Sequence, residues 1–366
     1  MAVHVFVPRW MDRNDINAQN SNARALLSRF NRQDASWTAV CSERPDFPIQ
    51  ANGVRTIRLS RTRLWQARLA LAYQSRYDAI FYPGPHWADK LGIQARSLTR
   101  ARKPLILTIE GIVANIETVD RFSALTGHPV YAQPGTEQYV KRLRWLYKRA
   151  DHIIAISPFL ARFANFCYGD KVSCLPLGID RSIFHSVGSQ RPRRCRVVGC
   201  GSIKASKNPQ AFLELAARLT EADFIWFGDG ELLPTLNDEA RRRRLNNLRF
   251  TKAVSPQVLA DEFRRSSIFV LPSRAEGVPK VTQEAAACGL PVVLYGYFEA
   301  PSIVHEHNGF VSWSDEQFAA YVTSLVQNPQ LRSEMGQRGE EMAAQWDWNK
   351  IAPQWESLII RLASSA

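Results

Sequence analysis

The stretch Ser267–Val293, SIFVLPSRAEGVPKVTQEAAACGLPVV, constrains this chain more than any other. An apolar β-type run, Ile268–Leu271, breaks at Pro272 and passes through a short polar loop. A helix of small residues is expected over Thr282–Cys288, stopping at Gly289 before a second apolar run, Pro291–Leu294. A strand that feeds a helix N-terminus through a glycine-containing loop is a place where anions bind, because the first helical N–H groups lack internal partners. Two carboxylates frame that loop. Glu276 lies in it, and Glu284 is expected in the first helical turn.

A carboxylate does not neutralise an anion, but it accepts hydrogen bonds from hydroxyls, and paired hydroxyls occur on ribose and pyranose rings. Loop amides facing phosphate, with carboxylates facing two sugars, describe a nucleotide-diphosphate sugar. The alternative is plainer. Glu284 is then an ordinary first-turn acid favoured by the helix dipole, and Glu276 a solvated loop residue.

The wording of the stretch separates these readings. Pro272–Val293, PSRAEGVPKVTQEAAACGLPVV, resembles the signature of the retaining glycosyltransferases of family 4 (glycosyl transferases group 1), including both glutamates, Gly277, the alanine run, Cys288, Gly289 and Pro291. The resemblance implies that Glu276 meets hydroxyls of the donor sugar and Glu284 the ribose. It also implies the GT-B arrangement: α/β, with two Rossmann-like domains facing a central cleft.

Length and charge agree with two domains of unequal surface. The 366 residues suffice for two cores. Residues 1–185 hold 26 Lys/Arg against 14 Asp/Glu, whereas residues 186–366 hold 21 against 20. The basic excess of the first half suggests an anionic partner: a membrane surface, a lipid pyrophosphate, an acidic polysaccharide or nucleic acid. A merely soluble basic surface is the plainer account. The start, MAVHVFVPRW, alternates like a first strand and lacks the parts of a signal peptide. No segment approaches the ~18 apolar residues of a membrane span. Six cysteines show no paired spacing and read as free thiols of a reducing cytoplasm. The expected location is cytoplasmic, with peripheral contact at an inner membrane face.

The order of strand-like runs places the domains. Val3–Val7, Thr38–Cys41, Ile57–Leu59, Ala79–Tyr82 and Leu105–Ile109, with helical patterns such as Trp65–Ser75 between them, imply parallel βαβ units. Residues 1–185 form the expected acceptor-side domain and 186–194 (SVGSQRPRR) the linker. Residues 195–344 are the expected nucleotide-sugar domain. Residues 345–366 are an amphipathic helix with Trp346, Trp348 and Trp355 in or beside it, expected to cross back to the first domain. Gln138–Ala150 interleaves Arg and Lys with aromatics, which suits an anionic bilayer interface or a helix packed by one stripe on a core. Arg241–Arg244 reads as a solvated helix face.

Further site residues come from the resemblance, position by position. Where the family has a glycine-rich loop near the donor phosphates, this chain has Asn17 and Asn20; where it commonly has a His, this chain has Glu110. These three are acceptor-side candidates. Around Gly201 the family pairs an Arg with a Lys to grip the diphosphate. Lys207 matches the Lys, but Ser202 stands at the Arg position, and a hydroxyl cannot supply a permanent bidentate cation. Lys204 and Lys280 are the nearby candidates for the missing charge. Val278, Pro279 and Lys280 complete the signature loop, where Pro279 replaces the usual Gly and removes an amide donor. Gly228 belongs to a GDG turn like the family's own.

The resulting expectation is metal-independent, retaining transfer of a sugar from a nucleotide-diphosphate donor, UDP or GDP, to a hydroxyl acceptor. The acceptor is a glycan or lipid-linked molecule in polysaccharide, lipopolysaccharide or other glycoconjugate synthesis. Glu276 and Lys207 are its catalytic candidates, with no metal ligands and no cofactor beyond the co-substrate. The alternatives are another GT-B enzyme (sugar phosphorylase or nucleotide-sugar epimerase) and a basic nucleic-acid-binding protein without catalysis.

Overall fold

The computed structural model describes residues 3–10, 18–31, 34–41, 52–58, 77–84, 93–94, 103–127, 129–132, 135–187 and 194–365. The expected helix Trp65–Ser75, Asn17 and most of the expected linker lie outside them. The chain divides into two compact units, the first of residues 1–122, 132–178 and 348–366 and the second of 123–131 and 179–347.

The first unit is built on seven parallel strands: β1 (Val3–Trp10), β2 (Ala35–Cys41), β3 (Arg55–Arg58), β4 (Ala79–Tyr82), β5 (Leu105–Ile109), β6 (His152–Ala155) and β7 (Val172–Cys174). Their order is β3-β2-β1-β4-β5-β6-β7. The described helices are α1 (Ala18–Leu27), α2 (Ile116–Thr126), which crosses the boundary between units, α3 (Glu137–Arg149) and α4 (Pro158–Tyr168). Strand β1 runs three residues past Val7, its expected end before Pro8, with a register irregularity between Val7 and Trp10 that absorbs the proline. Helix α3 buries Leu143, Leu146 and Tyr147 and leaves most of its cations outside. Of the two readings of this helix, packing by one apolar stripe is the observed one.

The second unit holds six parallel strands: β8 (Arg196–Cys200), β9 (Asp223–Phe227), β10 (Leu248–Thr251), β11 (Ile268–Leu271), β12 (Val292–Tyr295) and β13 (Gly309–Ser312). They are ordered β10-β9-β8-β11-β12-β13, the doubly wound order of a Rossmann sheet. Its helices are α5 (Pro209–Arg218), α6 (Leu233–Arg242), α7 (Pro256–Arg264), α8 (Lys280–Ala287), α9 (Asp315–Gln327) and α10 (Pro329–Ala343). Both faces of a parallel sheet are covered, so its strands read as continuous apolar runs. Successive residues then serve opposite cores. Ile268 and Val270 join Phe212, Trp226 and Val293 on one face, while Phe269 and Leu271 join Phe263, Val292 and Leu294 on the other.

Helix α11 (Trp348–Ser364) ends the chain within the first unit. Trp355 Nε1 donates to Pro176 O at 2.8 Å, and Asn31 N donates to Glu356 at 2.7 Å. Trp346 packs instead in the core of the second unit. Ile179 N bonds Trp346 O at 2.7 Å and Ile179 bridges Asp347, so the contact boundary falls at 178/179, ahead of the 186–194 stretch expected as linker. Gly178 answers to the same return of chain: a Cβ there would meet the Trp348 ring at 2.6 Å.

Candidate donor site in the second unit

Strand order reverses between β8 and β11, and in an open parallel sheet ligands bind outside the carboxyl ends of the strands at that switch point. The loops leaving β8 and β11 are the Gly201 loop and the Pro272–Pro279 loop, and the GDG turn leaves the neighbouring β9. These three loops are knitted by their backbones. Ile203 N donates to Asp229 O at 2.9 Å, Leu232 N to Ile203 O at 3.1 Å, and Arg274 N to Ser206 O at 3.1 Å. The indole of Trp226 donates to Gly201 O at 2.9 Å. Gly228 must lack a side chain, because its Cβ would stand 1.9 Å from Gly201 O. Gly201 itself has φ 142, a backbone that glycine tolerates and other residues do not.

From this frame the side chains converge. The chain after Gly201 makes a short 3₁₀ turn, Ala205–Lys207, then passes through Asn208 in the left-handed region into Pro209 at the head of α5. That turn carries Lys207 to Glu276, and the two form an ion pair across the switch point. Their side chains are 19% and 10% exposed, so the pair is largely removed from water. Ser202 and Lys204 are exposed on the same loop, Gly277 and Pro279 are buried, and Val278 is half-buried.

Helix α8 starts at Lys280, two residues earlier than expected, so Glu284 stands in the second turn and the first turn holds no acid. The first-turn dipole account of Glu284 is therefore corrected. Pro279 at the N-cap makes no side-chain cap, and the turn is held by Thr282, whose hydroxyl bonds Pro279 O and Ser302 Oγ at 2.7 Å each. Lys280 is the first helical residue, at the end where the macrodipole disfavours a cation. Glu284 keeps some surface but has dense surroundings. Burial raises its carboxyl above the ordinary range, and Lys280 acts in the opposite direction. Cys200, at the end of β8, is pushed up to about 12 by burial, with Glu284 adding and Lys207 opposing. Glu284 and Lys207 are thus both felt at one strand end.

Two buried polar groups of this region were not anticipated from sequence. Ser273 Oγ and Gln283 Oε1 are buried without a hydrogen-bond partner, in the signature loop and in α8. Their type and spacing carry no signal that would have distinguished them from packing residues. The acceptor-side candidates lie in the first unit. Asn20 is buried in α1, and Glu110 follows β5, where Asn22 Nδ2 donates to it at 3.4 Å. No sequence pattern marks Asn22, and Asn17 lies outside the described residues. Among the described residues no cluster of three or more His, Cys, Asp or Glu side chains could hold a metal ion, and no helix is long and apolar enough to cross a membrane.

The fold is thus two Rossmann-like α/β domains, the second with glycine-knitted loops and carboxylates at its switch point. Residues 189–342 match the family model "Glycosyl transferases group 1", and residues 2–183 match "Glycosyltransferase Family 4". The chain carries both domains of a group 1 glycosyltransferase. It is 22% identical over 231 residues to an alpha-galactosylglucosyldiacylglycerol synthase of Streptococcus pneumoniae, a match covering 57% of this chain and 60% of the other. The chain thus spans about three-fifths of the length of that curated relative. Over the whole of both chains it shares the GT-B fold with Anabaena HepE, solved in complex with UDP and glucose (TM-score 0.76, 17% identity). The sucrose-phosphate synthase of Thermosynechococcus elongatus shares it over the same extent (TM-score 0.80, 17% identity).

Proposed function

We propose that the chain transfers a sugar, with retention at the anomeric carbon and without a metal, from a nucleotide-diphosphate sugar to a hydroxyl of a glycan or lipid-linked acceptor. The observation that carries this reading is the Lys207–Glu276 pair at the switch point, with Glu284 beside it. In the free protein each member neutralises the other. A donor diphosphate takes Lys207 as counter-ion and leaves Glu276 to accept from hydroxyls of the sugar, while Glu284 accepts from the ribose. Lys280 supplies the second positive charge that Ser202 does not, and the bound phosphates turn its unfavourable place on the helix into a favourable one.

In the transfer, the acceptor oxygen bonds to the anomeric carbon on the face from which the phosphate oxygen leaves. The nucleoside diphosphate departs with the electron pair of the broken bond, and the acceptor proton passes to a phosphate oxygen. Lys207 and the amides of the Gly201 and Gly277 loops stabilise the charge that grows on the leaving phosphate. Glu276 positions the sugar.

UDP is the first candidate nucleotide, consistent with the UDP complex of HepE, and GDP the second. A glycolipid or cell-surface glycan acceptor fits the diacylglycerol glycolipid synthase among its relatives. The basic first unit suits an acceptor held at an anionic membrane, by charge alone, since α3 has its apolar stripe in the core. Co-sedimentation with anionic vesicles at low salt, lost at high salt, is the expected result; no sedimentation at low salt removes the membrane from the reading.

Calorimetric titration with UDP, GDP and ADP tests the site. One nucleotide is expected to bind selectively, and Glu284→Ala to weaken it by about 1–3 kcal/mol, the range for lost charged hydrogen bonds. Absence of binding, or equal binding by the variant, overturns the donor assignment. Transfer of labelled sugar to a hydroxyl acceptor without inorganic phosphate excludes a phosphorylase.

A further inference from the structure

Beyond the switch point, the carboxyl ends of β12 and β13 carry aromatic rings that the donor reading does not use. Tyr295 ends β12 and is buried, stacked on Phe318 at 4.6 Å and on Tyr297 at 5.3 Å. Its hydroxyl donates to Asp315 at 2.6 Å, on the first residue of α9. Tyr297 is only half-buried, and Trp313, the residue after β13, is 44% exposed. Their rings meet edge to face at 6.2 Å, and the Tyr297 hydroxyl donates to Trp313 O at 3.3 Å. Tyr131, 46% exposed, adds a third ring edge-on to Tyr297 at 5.3 Å.

The platform is held in place from beneath. A Cβ on Gly296 would stand 2.5 Å from the Trp313 ring, so the indole lies directly on the glycine backbone. Gly296 N donates to Ser312 O at 2.8 Å, which fixes the strand end that bears the indole. Rings that merely completed a core would not remain this exposed at the end of a sheet whose other aromatics are buried. Two exposed polar groups flank them. Asp315 keeps an oxygen beyond its bond to Tyr295, and Arg274 of the signature loop is close enough to act electrostatically on both Tyr295 and Tyr297.

We infer that Tyr297 and Trp313, edged by Tyr131 and flanked by Arg274 and Asp315, form a subsite for a pyranose ring of the acceptor glycan. A pyranose presents an apolar face of C–H groups and a rim of hydroxyls. Aromatic faces carry partial negative charge that suits such C–H groups, while a carboxylate and a guanidinium suit the rim. The place on the sheet selects the acceptor. Adjacent strands are ~4.8 Å apart, so the ends of β12 and β13 lie one and two strands outward from β11, whose loop bears Glu276. A donor bound at the switch point with its sugar at Glu276 leaves the outer strands to the next ring. This inference rests on the donor reading for its choice of acceptor over donor sugar.

The test uses the full chain labelled with 5-fluorotryptophan, with the Trp313 resonance assigned by its loss in Trp313→Phe. Maltose, cellobiose, lactose and α-mannobiose are titrated with and without UDP, and UDP binding is measured on the same samples. At least one disaccharide is expected to shift the Trp313 resonance saturably, and Tyr297→Ala to weaken that binding by roughly tenfold or more. UDP affinity is expected to stay unchanged in the variant. If UDP binds and no disaccharide shifts Trp313, the subsite is overturned and the donor reading stands. If a disaccharide binds but UDP does not, the subsite stands as a carbohydrate site and the donor reading falls. If UDP-glucose shifts Trp313 while UDP and the disaccharides do not, the ring belongs to the donor sugar and the acceptor assignment is overturned. A Tyr297→Ala chain that binds disaccharide as well as the wild type also overturns the platform.

Discussion

The two sheets of this molecule share the order of six strands, the first adding a seventh at its edge, but differ in what their described carboxyl ends carry. In the second unit, the loops after β8, β9 and β11 are joined by backbone hydrogen bonds and packed so closely that Gly228 and Gly230 have no room for a side chain. In the first unit, the described end of β5 offers side chains instead: Glu110 follows it, with Asn22 on α1 donating to its carboxylate. The difference teaches where each kind of recognition lives. A diphosphate is held by amides that must approach it, and close approach requires glycine at particular places. On the proposed reading, acceptor hydroxyls are met by side chains, which can be exchanged without altering the fold.

The sharpest way to break this comparison is to put the same methyl group into each unit. In Gly228→Ala the new Cβ runs into Gly201 O, and the expected result is loss of UDP binding with destabilisation of about 3 kcal/mol or more. In Gly169→Ala, after α4, nothing lies within 4 Å, so only the positive φ of 80 opposes the change, at about 1–2 kcal/mol. Chemical denaturation with a parallel UDP titration reads both. Equal effects on UDP binding would remove the claim that the glycines of the second unit serve a ligand.

Next in size is Lys207→Ala. It removes the cation assigned to the leaving phosphate and leaves Glu276 largely buried without its partner. A fall of about 10²–10³ in kcat is expected, the scale for one lost transition-state donor. The counterpart in the first unit is Glu110→Gln. It is expected to raise the acceptor KM by roughly tenfold or less, the loss of one hydrogen bond of about 1 kcal/mol, and to leave UDP affinity unchanged. Steady-state kinetics with donor and acceptor varied separately distinguishes the two. A Glu110→Gln change in UDP affinity would contradict the division of labour.

The smallest expected effect compares two glutamates in dense surroundings, half-buried Glu284 in the second unit and buried Glu356 on α11 in the first. Burial raises the carboxyl of each above 4.5. A raised carboxyl binds more protons folded than unfolded, so its contribution to stability is whole below pH 4.5 and is lost as pH rises through the folded value. Glutamine removes that loss. Glu284→Gln and Glu356→Gln are therefore each expected to raise Tm by a few degrees at neutral pH and to change little at pH 4. Only Glu284→Gln should also weaken UDP. A Glu284→Gln chain no more stable than the wild type at pH 7 would mean that its ionised form is not held at a cost for function.

Much of the proposed donor site was legible because its chemistry demands particular residues close in sequence. Glu276, Gly201, Gly228 and Lys207 stand out by type and spacing and lie on three neighbouring loops of one unit, with Glu284 on the helix that follows. Helix α8 starts two residues ahead of the point its sequence pattern indicates. Pro279–Lys280 looks like loop, yet a proline at the N-cap costs no backbone hydrogen bond, and Lys280 is tolerated where an anion is expected. Asn22 with Glu110, and Tyr297 with Trp313, left no local trace, because each pair is joined by residues distant along the chain.

The sequence by itself determined two parallel α/β sheets, since continuous apolar runs alternating with helical patterns have no other economical burial. It also marked the loop proposed to meet phosphate, because glycines, a lysine and two carboxylates at those intervals suit that chemistry. Only the tertiary structure decided that Lys207 is paired with Glu276 and that Glu284 stands in the second turn of its helix. It alone decided that Trp346 stays with the second unit although the helix after it returns to the first as expected, and that an aromatic platform stands at the ends of β12 and β13. Periodicity reports which residues are buried; which distant residues they are buried against depends on how the elements pack.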